Sequence, residues 1–311
     1  MQMKNFISAL FYSRNPIHIV KTMEITIVAF GGNAISDPRK AESAAEQARK
    51  IESAILRLKG IPKMAITHGN GPEVGNLLLQ QAGGRRLPLD ALVAMTQGQL
   101  GCWISQAVEN VLDRKAVSIV TRVLVSPSDP GFSMPAKPVG PFYRRKIFRD
   151  MAKTKDGWRR VVPSPMPLRI LDIGAVRAVA EKGMVPVACG GGGVPVIKKG
   201  RKYAGVEAVI DKDYASALLG SEMGAKSLVF ITNVDCVFLN YGAPGEAPVR
   251  AIRADDAEEY LRGGHFGEGS MKPKVQAAID FIRKGGEKAV ITSIGNLGAA
   301  LKGRAGTLIT G

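Results

Sequence analysis

The sequence reads as an α/β protein built on a parallel sheet with crossover helices. Two observations carry that reading. An apolar strand-like run, a glycine-rich loop and a helical stripe follow one another twice near the start of the chain, the pattern of strands joined by crossovers. After a proline-rich interruption the same alternation resumes and runs to the end. At 311 residues the chain suits one large α/β domain or two modest ones. Its 45% hydrophobic and 23% charged residues are ordinary for a globular protein with a sizeable core.

Residues 1–22 hold a short apolar run and no acid, and lack the longer apolar core and small-residue cleavage site of a secretory signal. They read as an N-terminal extension, an added start or a disordered tail, ahead of a domain spanning 23–311. Glu24–Phe30 (EITIVAF) is the first strand and leads into Gly31-Gly32-Asn33. Ala44, Ala48, Ile51, Ile55 and Leu58 recur at helical spacing within Ala41–Gly60. Lys63–Thr67 is the next strand, followed by His68-Gly69-Asn70-Gly71-Pro72. Pro72 suits a helix's first turn, and the helix continues through Val74, Leu77 and Leu78. Ala116–Val125 reads as a single third strand.

From Ser126 to Pro167 the chain carries eight prolines and little periodicity. A structureless loop of that length does not suit a compact domain, so the segment reads as an inserted subdomain or lid. Regular alternation returns with a helix about Ile170–Lys182, a strand Val185–Cys189 and Gly190–Gly193. Val194–Ile197 and Tyr203–Val206 then form a hairpin. A helix from about Asp211 to Ser221 and a strand Ser227–Thr232 precede a polar loop over Asn233–Val249. Asp255–Arg262 and Lys274–Lys284 are helices, the second stopped at Gly285-Gly286, and Lys288–Thr292 and Thr307–Thr310 close the chain as strands.

Composition excludes several functions. No run approaches the ~18 apolar residues of a membrane span. Cys102, Cys189 and Cys236 are too few and too scattered for a disulfide framework or a zinc ribbon, and their apolar surroundings predict buried free thiols. His18, His68 and His265 have no ligand spacing. The net charge of +16 is concentrated: Lys137–Arg160 holds nine basic and two acidic residues, while the body is ordinary.

There is no G-x-x-x-x-G-K-[ST] loop and no G-x-G-x-x-G fingerprint, because GNGPEVG spaces its glycines differently. Yet GGN, HGNG and GGGG each end an apolar strand. At the carboxyl edge of a parallel sheet such loops let an anion approach backbone N–H groups. Lys212 lies between Asp211 and Asp213 at a helix start, where a neighbouring acid is expected to keep the ammonium charged. Lys274 also stands where a helix begins. Cations there oppose the helix dipole, so an anion should share the site. Together these features predict a phosphate clamp. Phosphoryl transfer needs positioning and neutralised charge more than covalent chemistry. An acceptor that is already an oxyanion needs no general base.

Gly31-Gly32-Asn33-Ala34, His68–Pro72, Lys137-Pro138-Val139-Gly140-Pro141-Phe142-Tyr143, Gly190–Val196, Gly205–Ala217 and Gly269–Lys274 occur in the order found in carbamate kinases. From about Glu24 to Gly311 the chain therefore resembles the amino acid kinase family. The resemblance implies a three-layer α/β/α sandwich with an open, mainly parallel sheet, in a cytoplasmic homodimer. It implies reversible phosphoryl transfer between ATP and carbamate, serving arginine metabolism, purine breakdown or carbamoyl phosphate synthesis, with Mg²⁺ held by the nucleotide phosphates and by no assigned protein ligand. The N-terminal half would take carbamoyl phosphate and the C-terminal half ADP or ATP, with the insertion at about 126–167 protruding as a lid.

By the same resemblance Gly31, Gly32 and Asn33 would contact the transferred group, and Gly69, Asn70 and Gly71 would oppose them. Lys137, Lys212 and Lys274 would be catalytic, with Asp211 or Asp213 orienting the lysines. Asp235, Tyr241 and Met271 would lie near the nucleotide with Lys212 and Lys274. Lys272 is an extra cation that the family pattern does not use. Two alternatives remain open. One is a family member with a bulkier carboxylate acceptor such as acetylglutamate, which KPVGPFY and HGNGP argue against. The other is a nucleic-acid-binding protein that uses Phe142, Tyr143, Phe148 and Trp158 among the lid cations.

Overall fold

The computed structural model describes residues 23–32, 42–81, 86–154, 157–266 and 271–311; the expectations for residues 1–22 and for Asn33 fall outside them. Strand β1 (Met23–Phe30) is followed by helix α1 (Ala44–Leu56), strand β2 (Met64–His68) and helix α2 (Gly71–Gln80). Helix α1 starts on a reciprocal capping box: Ser43 accepts from the Glu46 N–H, and the Glu46 carboxylate accepts from the Ser43 N–H. Pro72 lies in the first turn of α2, as expected.

Helix α3 (Leu89–Leu112) was not apparent from the sequence. Its buried face runs Val93, Thr96, Gln97, Leu100 and Ile104, which is helical spacing, but Thr96 and Gln97 break the apolar stripe. Strands β3 (Ala116–Ser118) and β4 (Arg122–Val125) divide the run expected as one strand. Thr121 turns the chain between them. Its N–H donates to the Gln97 side-chain oxygen at 3.0 Å and its hydroxyl to the Ile119 carbonyl at 2.8 Å. The two strands consequently enter different sheets.

The proline-rich segment is structured. Strands β5 (Lys137–Tyr143), β6 (Met151–Thr154) and β7 (Gly157–Val162) form an antiparallel sheet in the order β5-β7-β6. Strand β8 (Pro167–Ile170) returns the chain to the body. Helix α4 (Ile173–Glu181), strand β9 (Val185–Val187), and the hairpin of β10 (Val194–Lys199) and β11 (Lys202–Gly205) follow. Helix α5 (Lys212–Met223) and strand β12 (Ala225–Thr232) come next. The stretch expected to be a polar loop contains a second hairpin, β13 (Val237–Leu239) with β14 (Ala247–Val249). Strand β15 (Ala251–Arg253), helices α6 (Ala254–Arg262) and α7 (Met271–Arg283), strand β16 (Lys288–Ser293), helix α8 (Leu297–Ala300) and strand β17 (Thr307–Thr310) complete the chain.

The main sheet has eight strands in the order β15-β17-β16-β12-β1-β2-β9-β3. The six from β16 to β3 are parallel, and β17 pairs antiparallel to β16. Side chains alternate across a strand, and β1 shows the result. Ile25, Ile27 and Ala29 pack with α5 and α7 on one face; Val28 and Phe30 pack with α1 and α3 on the other. Full burial of side chains such as Ile27 or Phe230 contributes roughly 1.5–3 kcal/mol each. A smaller sheet, β11-β10-β4-β8, flanks the main one. Among the described residues no helix is long and apolar enough to cross a membrane.

The central strands decide where a ligand can sit. The chain fills the sheet outward from β1 to β2 and β9 on one side, then returns to place β12 and β16 on the other. Loops leaving the carboxyl ends of β1 and β12 therefore diverge, which opens a crevice at that point. The cysteine expectation holds for Cys189 and Cys236. It fails for Cys102, which is exposed because it lies on the side of α3 facing away from buried Leu100 and Ile104.

Candidate functional site

The crevice is a cavity of about 570 Å³. Gly31 and Gly32, Gly69, Asn70 and Gly71, and Thr232 and Asn233 at the end of β12 all line it, and in the strand order β12-β1-β2 the Gly31-Gly32 loop leaves the central strand. Backbone hydrogen bonds prolong the sheet into these loops: the Gly31 N–H donates to the Ile231 carbonyl at 2.9 Å, and the Gly69 N–H to the Phe30 carbonyl at 3.1 Å. Two of the three glycine loops thus reach the cleft as expected.

The third behaves differently. Gly190 to Gly193 are all buried, and of the four Gly191 alone lines the cavity. Gly191 has φ +62°, and a β-carbon there would lie 2.1 Å from the Asn70 amide nitrogen. Close packing behind the cleft, rather than approach of an anion, dictates those glycines. Asn70 is fixed from the other side by its donation to the Thr96 hydroxyl at 2.8 Å.

Charge enters from three elements. Asp211 caps α5 by accepting from the Asp213 N–H at 2.9 Å, and Lys212 and Asp213 occupy the first turn. Lys274 comes from the first turn of α7 and reaches Asp213 at 3.0 Å. Lys212 pairs with the other oxygen of the same carboxylate. Lys137 reaches in from β5 and lies 2.5 Å from Asp211. The sequence-predicted lysines and acids, 60 to 140 residues apart except for the 211–213 run, therefore meet in one cleft.

Burial strongly opposes the Asp213 charge, yet the Lys212 and Lys274 ammonium groups outweigh it and hold the carboxyl well below the usual range. For Lys212 burial wins, and its affinity for a proton falls below that of an ordinary lysine despite Asp213. Lys137 goes the other way: burial is its largest single influence, but attraction and hydrogen bonding to Asp211 together raise it.

Three expected nucleotide neighbours stand outside this cavity. Asp235 accepts a hydrogen bond from Ser293 at 2.7 Å, Tyr241 is exposed and packs on Phe238, and Met271 opens α7 and packs against the core. Among the described residues no cluster of three or more His, Cys, Asp or Glu side chains is arranged to hold a metal ion.

Two residues at or behind the cleft were given no role of their own by the sequence reading. His68 is buried, and burial pushes it down to about 4, so it is neutral. Its Nδ1 lies 3.0 Å from the Gly69 carbonyl; only a protonated nitrogen can bond there, which fixes the tautomer. Arg159, on β7, lines the cleft beside Lys137. It was hidden among nine cations, and nothing in its spacing marked it out.

The sequence model of the amino acid kinase family matches residues 24–293. The chain is 43% identical to a carbamate kinase of Thermoplasma acidophilum, over 92% of this chain and 99% of that one. It is 41% identical to carbamate kinase 2 of Enterococcus faecalis, over 93% and 99%. It superimposes on a carbamate kinase from Giardia lamblia bound to AMP-PNP with a TM-score of 0.83, at 33% identity, covering 92% of this chain and 98% of that one.

Proposed function

The chain belongs to the amino acid kinase family, and from that premise we infer that it is a carbamate kinase, a phosphotransferase catalysing ATP + carbamate ⇌ ADP + carbamoyl phosphate. The observation that carries the reading is the convergence of Lys137, Lys212 and Lys274 around Asp211 and Asp213 at the sheet's crevice.

The phosphoryl group in flight spreads negative charge over its equatorial oxygens, and catalysis consists of holding it in line and neutralising that charge. Lys212 and Lys274 are placed to do so, and their shared carboxylate keeps both ammonium groups in one orientation. Burial sharpens the effect, since a dry, fixed cation stabilises developing charge more than a hydrated one. The exposed backbone of Gly31-Gly32 and Gly69–Gly71 lets a phosphoryl group come close on the acceptor side, and Asn33 belongs with them. Lys137 enters from the insertion to the acyl phosphate. Carbamate attacks through an oxygen that is already anionic, so no proton need be removed. The neutral His68 is consistent with that.

We assign ADP and ATP to the C-terminal half, along the loop beyond β12, with Asp235, Tyr241 and Met271 beside the nucleotide. Both acids of the cleft are engaged by lysines, so Mg²⁺ would enter with the nucleotide phosphates as part of the metal–nucleotide substrate. The insertion over about 126–167 is assigned as a lid on a single domain spanning 23–311, and the working assembly as a homodimer in the cytoplasm, in arginine metabolism.

The test is direct. Purified protein is mixed with ADP, Mg²⁺ and fresh carbamoyl phosphate, and ATP is followed with luciferase; acetylglutamate with ATP is the control acceptor. ATP formed only when carbamoyl phosphate is present supports the reading. No ATP, or turnover of acetylglutamate instead, would reject it.

A further inference from the structure

Four cations line the cleft, Lys137, Arg159, Lys212 and Lys274, against two carboxylates, Asp211 and Asp213. Each lysine has an ion-pair partner in one of those acids. Arg159 is the cation for which the described residues supply no carboxylate. Its Nε and Nη2 both donate to the Gly140 carbonyl, at 2.9 and 2.6 Å, and its guanidinium carbon lies 5.0 Å from the centre of the Phe142 ring. A guanidinium has five N–H donors in a rigid fork, so the carbonyl uses two and three remain. The carbonyl clamp and the ring fix the plane in which those three point.

The position is also specific. Lys137 and Arg159 stand on neighbouring antiparallel strands, β5 and β7, whose register shifts between Val139 and Tyr143, and both side chains line the cleft. The lid thus brings two cations to one wall of the cleft. Burial lowers the proton affinity of Arg159, and a partly desolvated charge without a counter-charge is unfavourable until an anion arrives.

We propose that Arg159 is a second substrate-binding cation of the lid, donating its free N–H groups to the anionic oxygens of the acyl phosphate beside Lys137. The identity of that ligand rests on the carbamate kinase reading; the existence of an oxyanion site at Arg159 does not.

A purely structural Arg159, serving only to fasten β5 through Gly140, is the competing account. Titration calorimetry on the full chain separates the two, with inorganic phosphate, fresh carbamoyl phosphate and ADP as separate probes. Arg159→Met keeps the length and apolar packing without charge; Arg159→Lys keeps charge without the fork. The expected result is that Arg159→Met weakens phosphate and carbamoyl phosphate at least about tenfold and leaves ADP within about twofold, with Arg159→Lys in between. Unchanged anion affinity in Arg159→Met overturns the proposal. So does an equal loss of ADP binding, which would mark collapse of the lid, and so does a wild-type chain that binds neither anion. Phosphate binding needs no turnover, so a chain that fails the luciferase assay yet binds phosphate through Arg159 rejects the functional reading and upholds the anion site.

Discussion

Lys137 and Asp211 lie 74 residues apart in the chain and 2.5 Å apart in the fold, and their contact ties the insertion to the start of α5. The same carboxylate accepts from the Asp213 N–H, so one residue engages both Lys137 of the insertion and the helix that carries Lys212. Asp211→Asn should keep the cap but release Lys137, lowering turnover with little change in melting temperature. Asp211→Ala should also lose the cap, at about 1 kcal/mol of stability. Paired kinetics and thermal melts of the two variants check this. Equal stability of both would show that the cap contributes nothing.

Lys212→Ala and Lys274→Ala should each lower kcat by ~10²-fold or more, corresponding to roughly 3 kcal/mol of barrier. Lys272→Ala, at an exposed position outside the cleft wall, should change kcat far less. Steady-state kinetics with circular dichroism as a folding control decides it. Comparable losses at Lys272 and Lys274 would mean that the functional lysine of that motif is misassigned.

The pH dependence of stability should carry the signature of His68. Unfolded, it titrates near 6.5; folded, burial holds it down to about 4. The unfolded state therefore binds the proton first as pH falls. His68 contributes nothing adverse above about pH 6.5, destabilises progressively between 6.5 and 4, and levels off below. The full effect is on the order of 3 kcal/mol. Asp213, held well below the usual carboxylate range, takes over at lower pH: its contribution is present above the ordinary value and lost as pH falls through its folded one. His68→Asn should flatten the fall in melting temperature between pH 6.5 and 4. An unchanged slope in that window would assign the acid limb to other groups.

Much of this site was legible because its chemistry sits in short local patterns. Asp211-Lys212-Asp213 at a helix start and the glycines after β1 and β2 announce an anion site before any fold is known. What crosses the chain was not legible. Lys274 sharing Asp213 with Lys212 depends on how α7 packs against α5. The glycines at 190–193 looked like a third anion loop, but each meets a close neighbour: Gly190 the His68 ring, Gly191 the Asn70 amide, Gly192 the Ile210 backbone and Gly193 the Val123 side chain. Helix α3 escaped because Thr96 and Gln97 occupy its buried stripe, where they bond to Asn70 and Thr121. In the run Ala116–Val125 seven apolar residues of ten concealed a turn at Thr121 that the Gln97–Thr121 contact reveals.

Strand β5 seats on α2 through bare backbone. A β-carbon on Gly75 would fall 1.9 Å from the Gly140 α-carbon, which no side-chain adjustment can relieve. Gly75→Ala should push β5 off the helix and cost about 1–3 kcal/mol, the usual range for overpacking. It should also raise the carbamoyl phosphate KM more than the ADP KM, since the displaced strand carries Lys137 and the Gly140 carbonyl that holds Arg159. A wild-type KM for both substrates would show that the seat does not position the lid.

The last prediction concerns motion of the insertion. Its three-stranded sheet contributes Val139 and Val162 to a small apolar cluster, together with Val74 and residues of α3, but nothing to the two large clusters around the main sheet. Its cleft-facing charges, Lys137 and Arg159, gain most when an anion lies between the lid and the lysines of the body. Excluding water matters for this chemistry, because a mixed carbamic–phosphoric anhydride hydrolyses readily and dry surroundings strengthen every charge contact. Hydrogen exchange across residues 137–143 and 157–162 should therefore slow when carbamoyl phosphate is added and respond weakly to ADP alone. Lys137→Met should lower kcat by ~10²-fold while the ADP KM stays within about threefold, as the proposed role of the Lys137 ammonium at the acyl phosphate requires. In that variant the protection by carbamoyl phosphate should shrink but persist in part, since Arg159 remains. If exchange in these strands is the same with and without carbamoyl phosphate, and Lys137→Met turns over at the wild-type rate, the insertion is a rigid spacer and the lid assignment is wrong.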